Sequence, residues 1–392
     1  MKLAHIADPH LGARQYHRQT PNGINQREAD VAQAFRVTVD SVLAARPDVV
    51  VIAGDLFHTV RPTNAAIVFA FTQFQRLREA LPNTPVILVA GNHDTPRSTE
   101  TGSILRLFAE LGVEVATDEP RRLVFPALDM SVLAVPHPAL TGAERPLLRP
   151  EGGPRRQVLV LHGEVEGVFP FDRSGLEYGG AVVAPRDLHL GEWTYVALGH
   201  YHAQHRVGPR AWYAGALEYV TPNIWGEVAD DRAHAHDGKG WLLVDVDAGT
   251  VERRPVPLAR AVLDLEPVPA AGRPAAEVDA LIQDRVAAVP GGVRDRIVRL
   301  RVYDVPRHVA RELDHAAIRA LKAEALHFHL DVRRPEIPRM IGVGSPGRRQ
   351  TLPELVAAYL ARRPLPADVD RDAFVRAGME LMDAVERDLV GG

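Results

Sequence analysis

The sequence predicts an α/β protein with a two-sheet β core flanked by helices, and three observations carry that expectation. Apolar runs at residues 48–53 and 86–90, each closed by glycine, read as fully buried strands of a largely parallel sheet. The stretches between such runs have helical apolar spacing, so the first ninety or so residues alternate β-α-β-α-β, the pattern of right-handed crossovers. After these, strand-like runs become shorter and more frequent, as a second sheet packed on the first requires.

Taken in order, residues 3–7 form a strand that stops at Asp8, because Pro9 cannot continue a ladder. A helix is expected over residues 26–45, with Ala29, Ala32, Phe35, Val39 and Val42 at helical spacing. Thr63 is placed to cap a second helix ending near residue 81, and a third follows over 103–111. Strands are expected at 123–125, 131–135, 157–161, 195–198 and 212–214, and the runs 240–246 and 250–256 pair as a hairpin in the second sheet. The character then changes. β-α-β-α-β recurs over residues 262–332, a small separate unit with no cluster of convergent polar groups. Residues 342–350 read as a Gly-rich linker. Leu352, Leu355, Val356, Tyr359 and Leu360 line one face of a following helix, and a helix over 370–389 folds back as its hairpin partner. The expected division is 1–257, 258–340, a linker at 341–350 and a helical region at 351–392.

A length of 392 residues suits two or three domains. The net charge of −4 confines any nucleic-acid contact to a local basic face. The absence of cysteine excludes disulfides, thiolate metal sites and cysteine nucleophiles, so a metal must be held by oxygen and imidazole nitrogen. The first residues lack the apolar core of a signal peptide, and no apolar run approaches the ~18 residues of a membrane span, so a cytoplasmic protein away from membranes is expected.

Polar groups collect where the strands end: Asp8 and His10, Asp55 and His58, Asn92, His93 and Asp94, His162, then His200 and His202. Ligands of open α/β sheets bind at such carboxyl ends. Each group alone reads as an ordinary polar turn, and His162 alone as a satisfied core histidine; four such turns in this order do not. Nitrogen and oxygen donors without sulfur suit divalent first-row ions, Mn²⁺ foremost, with Mg²⁺, Fe²⁺ and Zn²⁺ also fitting. A carboxylate such as Asp55 can bridge two of them. Two ions roughly 3.5–4 Å apart clamp the oxygens of an in-line displacement at phosphorus and lower the pKa of a water.

Asp8-Pro-His10, Gly54-Asp55-Leu-Phe-His58, Gly91-Asn-His-Asp94, His162 and Gly199-His-Tyr-His202 resemble the signature of the calcineurin-like binuclear metallophosphoesterases. Within them the chain is most similar to the SbcD / meiotic-recombination-eleven nuclease family, the nuclease partner of an SMC-like ATPase. His5-Ile-Ala-Asp-Pro-His-Leu-Gly12, Asn25-Gln-Arg-Glu28, Arg61-Pro62 and Lys239-Gly240 add to the likeness, which spans roughly residues 2–334. The resemblance implies a four-layer αββα core, with Asp8, His10, Asp55 and His202 around one metal and Asp55, Asn92, His162 and His200 around the other. It implies that His93 acts on the phosphate, that Asp94 orients the His93 imidazole, and that His58 assists beside the scissile bond. It also implies a Mn²⁺-dependent exonuclease and endonuclease acting on double-stranded DNA ends and single strands. The small α/β unit would cap the site and help grip DNA, the C-terminal helices would dock on an SbcC-like ATPase, and N-terminal helices would form a homodimer. Pro9 and Ala216 depart from the family's usual residues, and altered local geometry without loss of chemistry is expected there. Arg14, Arg18, Arg61 and Arg97, in loops after metal-bearing strands, are candidates for backbone-phosphate contacts. A small-phosphoester enzyme of the same superfamily and a non-catalytic DNA-end scaffold are the rival readings.

Overall fold

The computed structural model of the protein describes residues 1–96, 102–168, 181–234, 238–335, 352–363, 365 and 369–390. The linker expected at 341–350 lies outside these residues. The chain divides into two compact units, Met1–Arg334 and Pro335–Gly392.

In chain order the first unit runs β1 (Lys2–Ile6), α1 (Gln26–Ala45), β2 (Val49–Ala53), α2 (Asn64–Ala80), β3 (Val86–Val89), β4 (Glu114–Ala116), β5 (Arg121–Phe125), β6 (Met130–Val135), α3 (His137–Thr141), β7 (Arg156–His162), β8 (Glu164–Val165), β9 (Val182–Val183), β10 (Tyr195–Gly199), β11 (His205–Gly208), β12 (Ala211–Tyr213), α4 (Ile224–Ala233), β13 (Gly240–Asp245) and β14 (Thr250–Pro255). It continues with β15 (Val262–Pro269), α5 (Ala275–Ala287), β16 (Ile297–Tyr303), α6 (Arg307–Glu312), α7 (His315–Glu324) and β17 (His327–Val332).

Two six-stranded sheets form the core, in the orders β14-β13-β1-β2-β3-β4 and β11-β12-β10-β7-β6-β5. Period-2 alternation explains the unbroken apolar runs. Val50 and Ile52 face Phe35 and Phe74 of the helical layer, while Val49, Val51 and Ala53 face Val158, Val160 and Ala197 of the other sheet. A strand buried on both faces has no polar side. The ends of α1 and α2 follow local chemistry. Asn25 accepts from the Arg27 amide at 3.0 Å, Thr63 accepts from the Ala66 amide at 3.2 Å, and Arg46 closes α1 in the left-handed region. The helix expected over 103–111 is a 3₁₀ helix, Ile104–Leu111, capped by Ser103.

The hairpin β13–β14 corrects one expectation. It joins the first sheet, with β13 antiparallel to β1 and Leu243 opposite Ala4. β1 is buried from Leu3 to Ile6 and cannot serve as an edge, and the apolar Trp241–Val244 run supplies the missing neighbour.

The third sheet, β15-β16-β17, is wholly parallel, with Leu263, Val298 and Phe328 in register on the face covered by α5, α6 and α7. Its other face, where Trp225 of α4 packs over Arg299, corrects another expectation, because polar groups do converge there. Asp264 accepts from Arg299 at 2.7 and 2.9 Å and from Arg301 at 3.3 Å. The second unit holds α8 (Leu352–Arg362) and α9 (Arg371–Val390), which cross where a side chain at Gly378 would collide with Leu360. Leu355 and Tyr359 on α8 stay exposed. No helix among the described residues is long and apolar enough to cross a membrane.

Candidate metal centre

The carboxyl ends of β1, β2, β3, β7 and β10 meet at one edge of the double sheet. Asp8, His10, Asp55 and His200 all have left-handed backbone, with φ of 50°, 48°, 49° and 103°. Non-glycine residues there are uncommon and cost of order 1 kcal/mol or more each, so the surroundings must hold them. They do. The amides of Asp8, His10 and Leu11 donate to the carbonyls of Gly54, Asp55 and Leu56 at 3.1, 2.9 and 2.8 Å, zipping the loop after β1 to the loop after β2. The His200 amide lies 3.1 Å from both oxygens of Asp8.

Three donor groups result. Two are wholly buried: Asp8, His10 and His202, and Asp55, His162 and His200. The third, His10, His58 and His93, is part-buried and shares His10 with the first. His10 Nε2 lies 3.1 Å from His202 Nε2. Asn92 Oδ1 lies 2.9 Å from His162 Nε2 and 3.1 Å from His200 Nδ1. Asp55 stands between the sets, with Oδ2 3.3 Å from His162 Nε2 and 3.8 Å from His10 Nε2. That oxygen is buried and accepts no hydrogen bond, a costly state unless a cation sits beside it. His162 donates its Nδ1 hydrogen to the Ala53 carbonyl at 2.9 Å, which leaves the Nε2 lone pair aimed at the other donors. The donor chemistry therefore fits divalent ions, with Asp55 shared. Close approach depends on two glycines: a Cβ at Gly54 would overlap the His162 ring, and one at Gly91 would overlap the Asp55 carboxylate.

Electrostatics agree. Burial pushes Asp8 up to about 7, against the pull of His162 and His202. Burial also opposes ionisation of Asp55, yet His162 and His10 hold it well below the usual carboxylate range. Burial lowers His162, but Asp55 and Asp8 outweigh it and carry the imidazole up to about 9. A proton and a cation compete for the same buried negative charge.

The candidate metal and catalytic residues Asp8, His10, Asp55, His58, Asn92, His93, Asp94, His162, His200 and His202 lie together at this edge. The His93 amide donates to Asp55 Oδ1 at 2.9 Å, and its Nδ1 hydrogen goes to the His58 carbonyl at 2.6 Å. The His58 ring stacks on that of His93, and its Nδ1 is 3.3 Å from His10 Nδ1. Asp94 does not orient His93. It accepts from the amides of Leu56, Phe57 and Gly91 at 3.0, 3.0 and 3.2 Å, pinning the loop after β2 to the loop after β3. The His58 carbonyl sets the His93 ring instead. Ala216 donates its amide to the His202 carbonyl at 3.0 Å, a contact that needs no side chain.

Sequence reasoning missed Glu227 and His137, and gave Lys239 only as part of the family likeness, with no role at the site. Glu227, on α4, places Oε2 3.6 Å from His202 Nδ1 and 2.8 Å from Lys239 Nζ. Lys239 is buried, donates to the His202 carbonyl at 3.0 Å and lies 3.4 Å from Asp231. Burial disfavours both charges, but the pairing wins: Glu227 is held well below its ordinary range and Lys239 above its own. The i,i+4 spacing of Glu227 and Asp231 was the available signal. His137, the first residue of α3, sets its ring against His162, 6.4 Å between centroids, and its amide donates to the Ala90 carbonyl at 2.9 Å. Of the candidate phosphate contacts, Arg14 pairs with Glu28 and Arg18 with Asp295, both at 2.7 Å. Arg61 is exposed, and Arg97 lies outside the described residues.

The model of the calcineurin-like phosphoesterases matches residues 1–204, and the chain belongs to that family. It is 28% identical over 262 residues to the DNA double-strand break repair protein Mre11 of Methanocaldococcus jannaschii, covering 64% of each chain. It is 28% identical over 250 residues to the Mre11 of Saccharolobus solfataricus, covering 62% of this chain and 60% of the relative. It is 29% identical over 266 residues to that of Sulfurisphaera tokodaii, covering 64% and 62%. The matched stretch thus spans under two thirds of these relatives' length.

Proposed function

We propose that the chain is a metal-dependent DNA nuclease that hydrolyses phosphodiester bonds at double-stranded ends and in single strands, working with an SbcC-like ATPase in double-strand-break repair. The observation that carries this reading is the two buried donor sets with Asp55 standing between them, and His93 donating its amide to that carboxylate. The relatives' description as break-repair proteins supports DNA as the substrate over a small phosphoester.

In this reading Asp8, His10, Asp55 and His202 hold one ion, and Asp55, Asn92, His162 and His200 hold the second, Mn²⁺ in both positions. The ions supply a clamp for the phosphate oxygens and a water of lowered pKa. The chain supplies the rest. The zipped loops fix the donors before substrate arrives, so little reorganisation accompanies reaction. His93, its Nδ1 hydrogen tied to the His58 carbonyl, keeps Nε2 for the phosphate or the leaving oxygen, and the stacked His58 limits the tilt of that ring. Glu227 holds the Nδ1 side of His202, leaving Nε2 for the ion. The units proposed are a nuclease domain at 1–257 and a capping unit at 258–340.

A homodimer through α1 and α2 is supported by the apolar hollow between them, floored by Ala29, Ala32 and Phe69, with Val68 exposed beside it. Exposed Leu355 and Tyr359 support docking of α8 on the ATPase. The cytoplasm is the compartment this reading implies. A release assay comparing labelled duplex ends with cyclic nucleotides in Mn²⁺ tests it: DNA is expected to be cut, and an enzyme that hydrolyses only the cyclic nucleotides overturns the reading.

A further inference from the structure

The third sheet ends in a second concave edge of opposite character. Arg307 and Arg311 on α6, His315 at the start of α7 and Arg334 beyond β17 surround a hollow of about 580 Å³ floored by Val305 and Val332. All four cationic or protonatable side chains are exposed. Among the described residues, none of the four has a carboxylate within ion-pair distance.

Arg260, Arg273, Arg294, Arg299, Arg301 and Arg333 of this unit each have a carboxylate within 4 Å, and among the described residues Arg285, Arg296 and Arg319 have none; what sets the hollow apart is that four such groups surround one concavity. The acidic groups around the hollow are turned to other tasks or left apart. Asp314 caps α7 through the Ala316 and Ala317 amides, and Asp331 holds Arg333. Asp304 and Glu312 pair with none of the four.

The position is also specific. The strands are parallel, so the hollow lies at the carboxyl edge of the sheet, where α/β folds place ligands. The opposite, amino edge packs Ile297 and Leu326 against Tyr219 and Trp225, toward the metal-bearing domain. At about 3.3 Å per residue, the seven-residue β16 puts roughly 20 Å between that contact and the hollow. The hollow is therefore a place of its own, and no metal donor reaches it.

We propose that this hollow binds a phosphate-bearing anion. Arginine forks match phosphate oxygens in bidentate geometry, and an apolar floor accommodates the organic part of the ligand. A volume of this size suits a nucleotide-sized group. The phosphates come from one of two sources: a free nucleotide or polyphosphate, or the backbone of a strand passing the unit. Only the second source rests on the nuclease reading; the anion site stands without it.

The test uses the full-length chain and isothermal titration with inorganic pyrophosphate, ATP and a twelve-nucleotide single strand at low salt. Wild type is compared with R311E/R334E and with R319E/K322E, which reverses two exposed charges of α7 outside the hollow. A loss of about tenfold or more in pyrophosphate or ATP affinity in the first variant only supports the free-ligand source. Weakened strand binding in the first variant only, with neither small ligand bound by any form, supports the strand source. Equal losses in both variants, or no loss in R311E/R334E, overturn the site. Cutting assays on the same proteins separate the two readings, because R311E/R334E leaves the metal donors intact: loss of anion binding with cutting retained speaks to the hollow alone.

Discussion

At the metal edge, strands β1, β2 and β7 deliver Asp8, Asp55 and His162 with no solvent exposure, on backbone forced into the left-handed region at Asp8, His10, Asp55 and His200. At the edge of the third sheet, β16 and β17 lead to exposed arginines, and of that edge's residues Asp304 after β16 is left-handed, with φ of 60°. Both are carboxyl ends of parallel strands, so topology alone does not say what binds. Burial does. Donors taken wholly out of water must be satisfied by a cation or a proton, and their geometry is set in advance. Exposed guanidinium groups are already hydrated, so they gain from an anion only by geometry and are screened by salt.

The comparison breaks first at Gly91. A Cβ there must displace Asp55, the carboxylate proposed to serve both ions. Gly91→Ala is expected to abolish binding of both ions and to lower stability by about 1–3 kcal/mol from overpacking. Titration calorimetry with Mn²⁺ checks it, and two ions bound per chain at wild-type affinity would remove the rigid, preset character claimed for this edge.

The next largest effect is expected at His93, which is half-buried and accepts no metal in the proposed scheme. His93→Gln should lower DNA cutting by about 10²–10⁴-fold, the range of a lost acid–base group, while two ions still bind. If cutting and metal affinity fell together, His93 would belong to the donor sets and the edge would hold no group free for substrate.

Much of this edge was legible in the sequence because strand ends are local. An apolar run closed by Gly-Asp or Gly-Asn-His names both the strand and what it delivers. What Asp94 does was not legible, since its partners are the amides of Leu56 and Phe57, almost forty residues away. Nor was Glu227. It lies on a ten-residue helix broken in composition by Gly226, with little amphipathic pattern, and its meaning comes from Lys239 and His202 packed against it. Arg18 looked like a free loop cation until Asp295, distant in sequence, folded beside it. The partner of β13 was hidden for a related reason: an apolar strand fits the centre of either sheet, and only the exposed side of β1 selected the first. Local pattern identifies donors; non-local contacts decide how they are held.

Glu227→Gln sharpens the comparison at a smaller scale. The carboxylate lies 3.6 Å from His202 Nδ1 and is proposed to support that ring without contacting an ion, and losses of about 10–100-fold in metal affinity are typical of such supports. The affinity loss should fall on one ion of the two, since His162 takes its orientation from Ala53 instead. A two-step calorimetric titration reads this directly, and equal weakening of both ions would mean that the sets are coupled through Asp55 more strongly than through their own supports.

The smallest effect is expected where a carboxylate and arginines meet partly in water. Burial raises Asp264, but Arg299 and then Arg301 outweigh it and hold the group below its ordinary value of 3.8. A depressed carboxylate contributes stability above its unfolded-state pKa and loses it as pH falls through the folded value. The contribution is therefore present at pH 7 and lost as pH falls below 3.8 through the lower folded value. Because Arg299 and Arg301 keep solvent contact, it should amount to about 1 kcal/mol or less. Asp264→Asn should then speed hydrogen exchange of the β16 amides by no more than about fivefold at pH 7, with the difference from wild type shrinking as pH is lowered. A difference that persisted unchanged into acid would mean that Asp264 acts by shape alone, and that this face of the sheet, like the metal edge, is set by packing more than by charge.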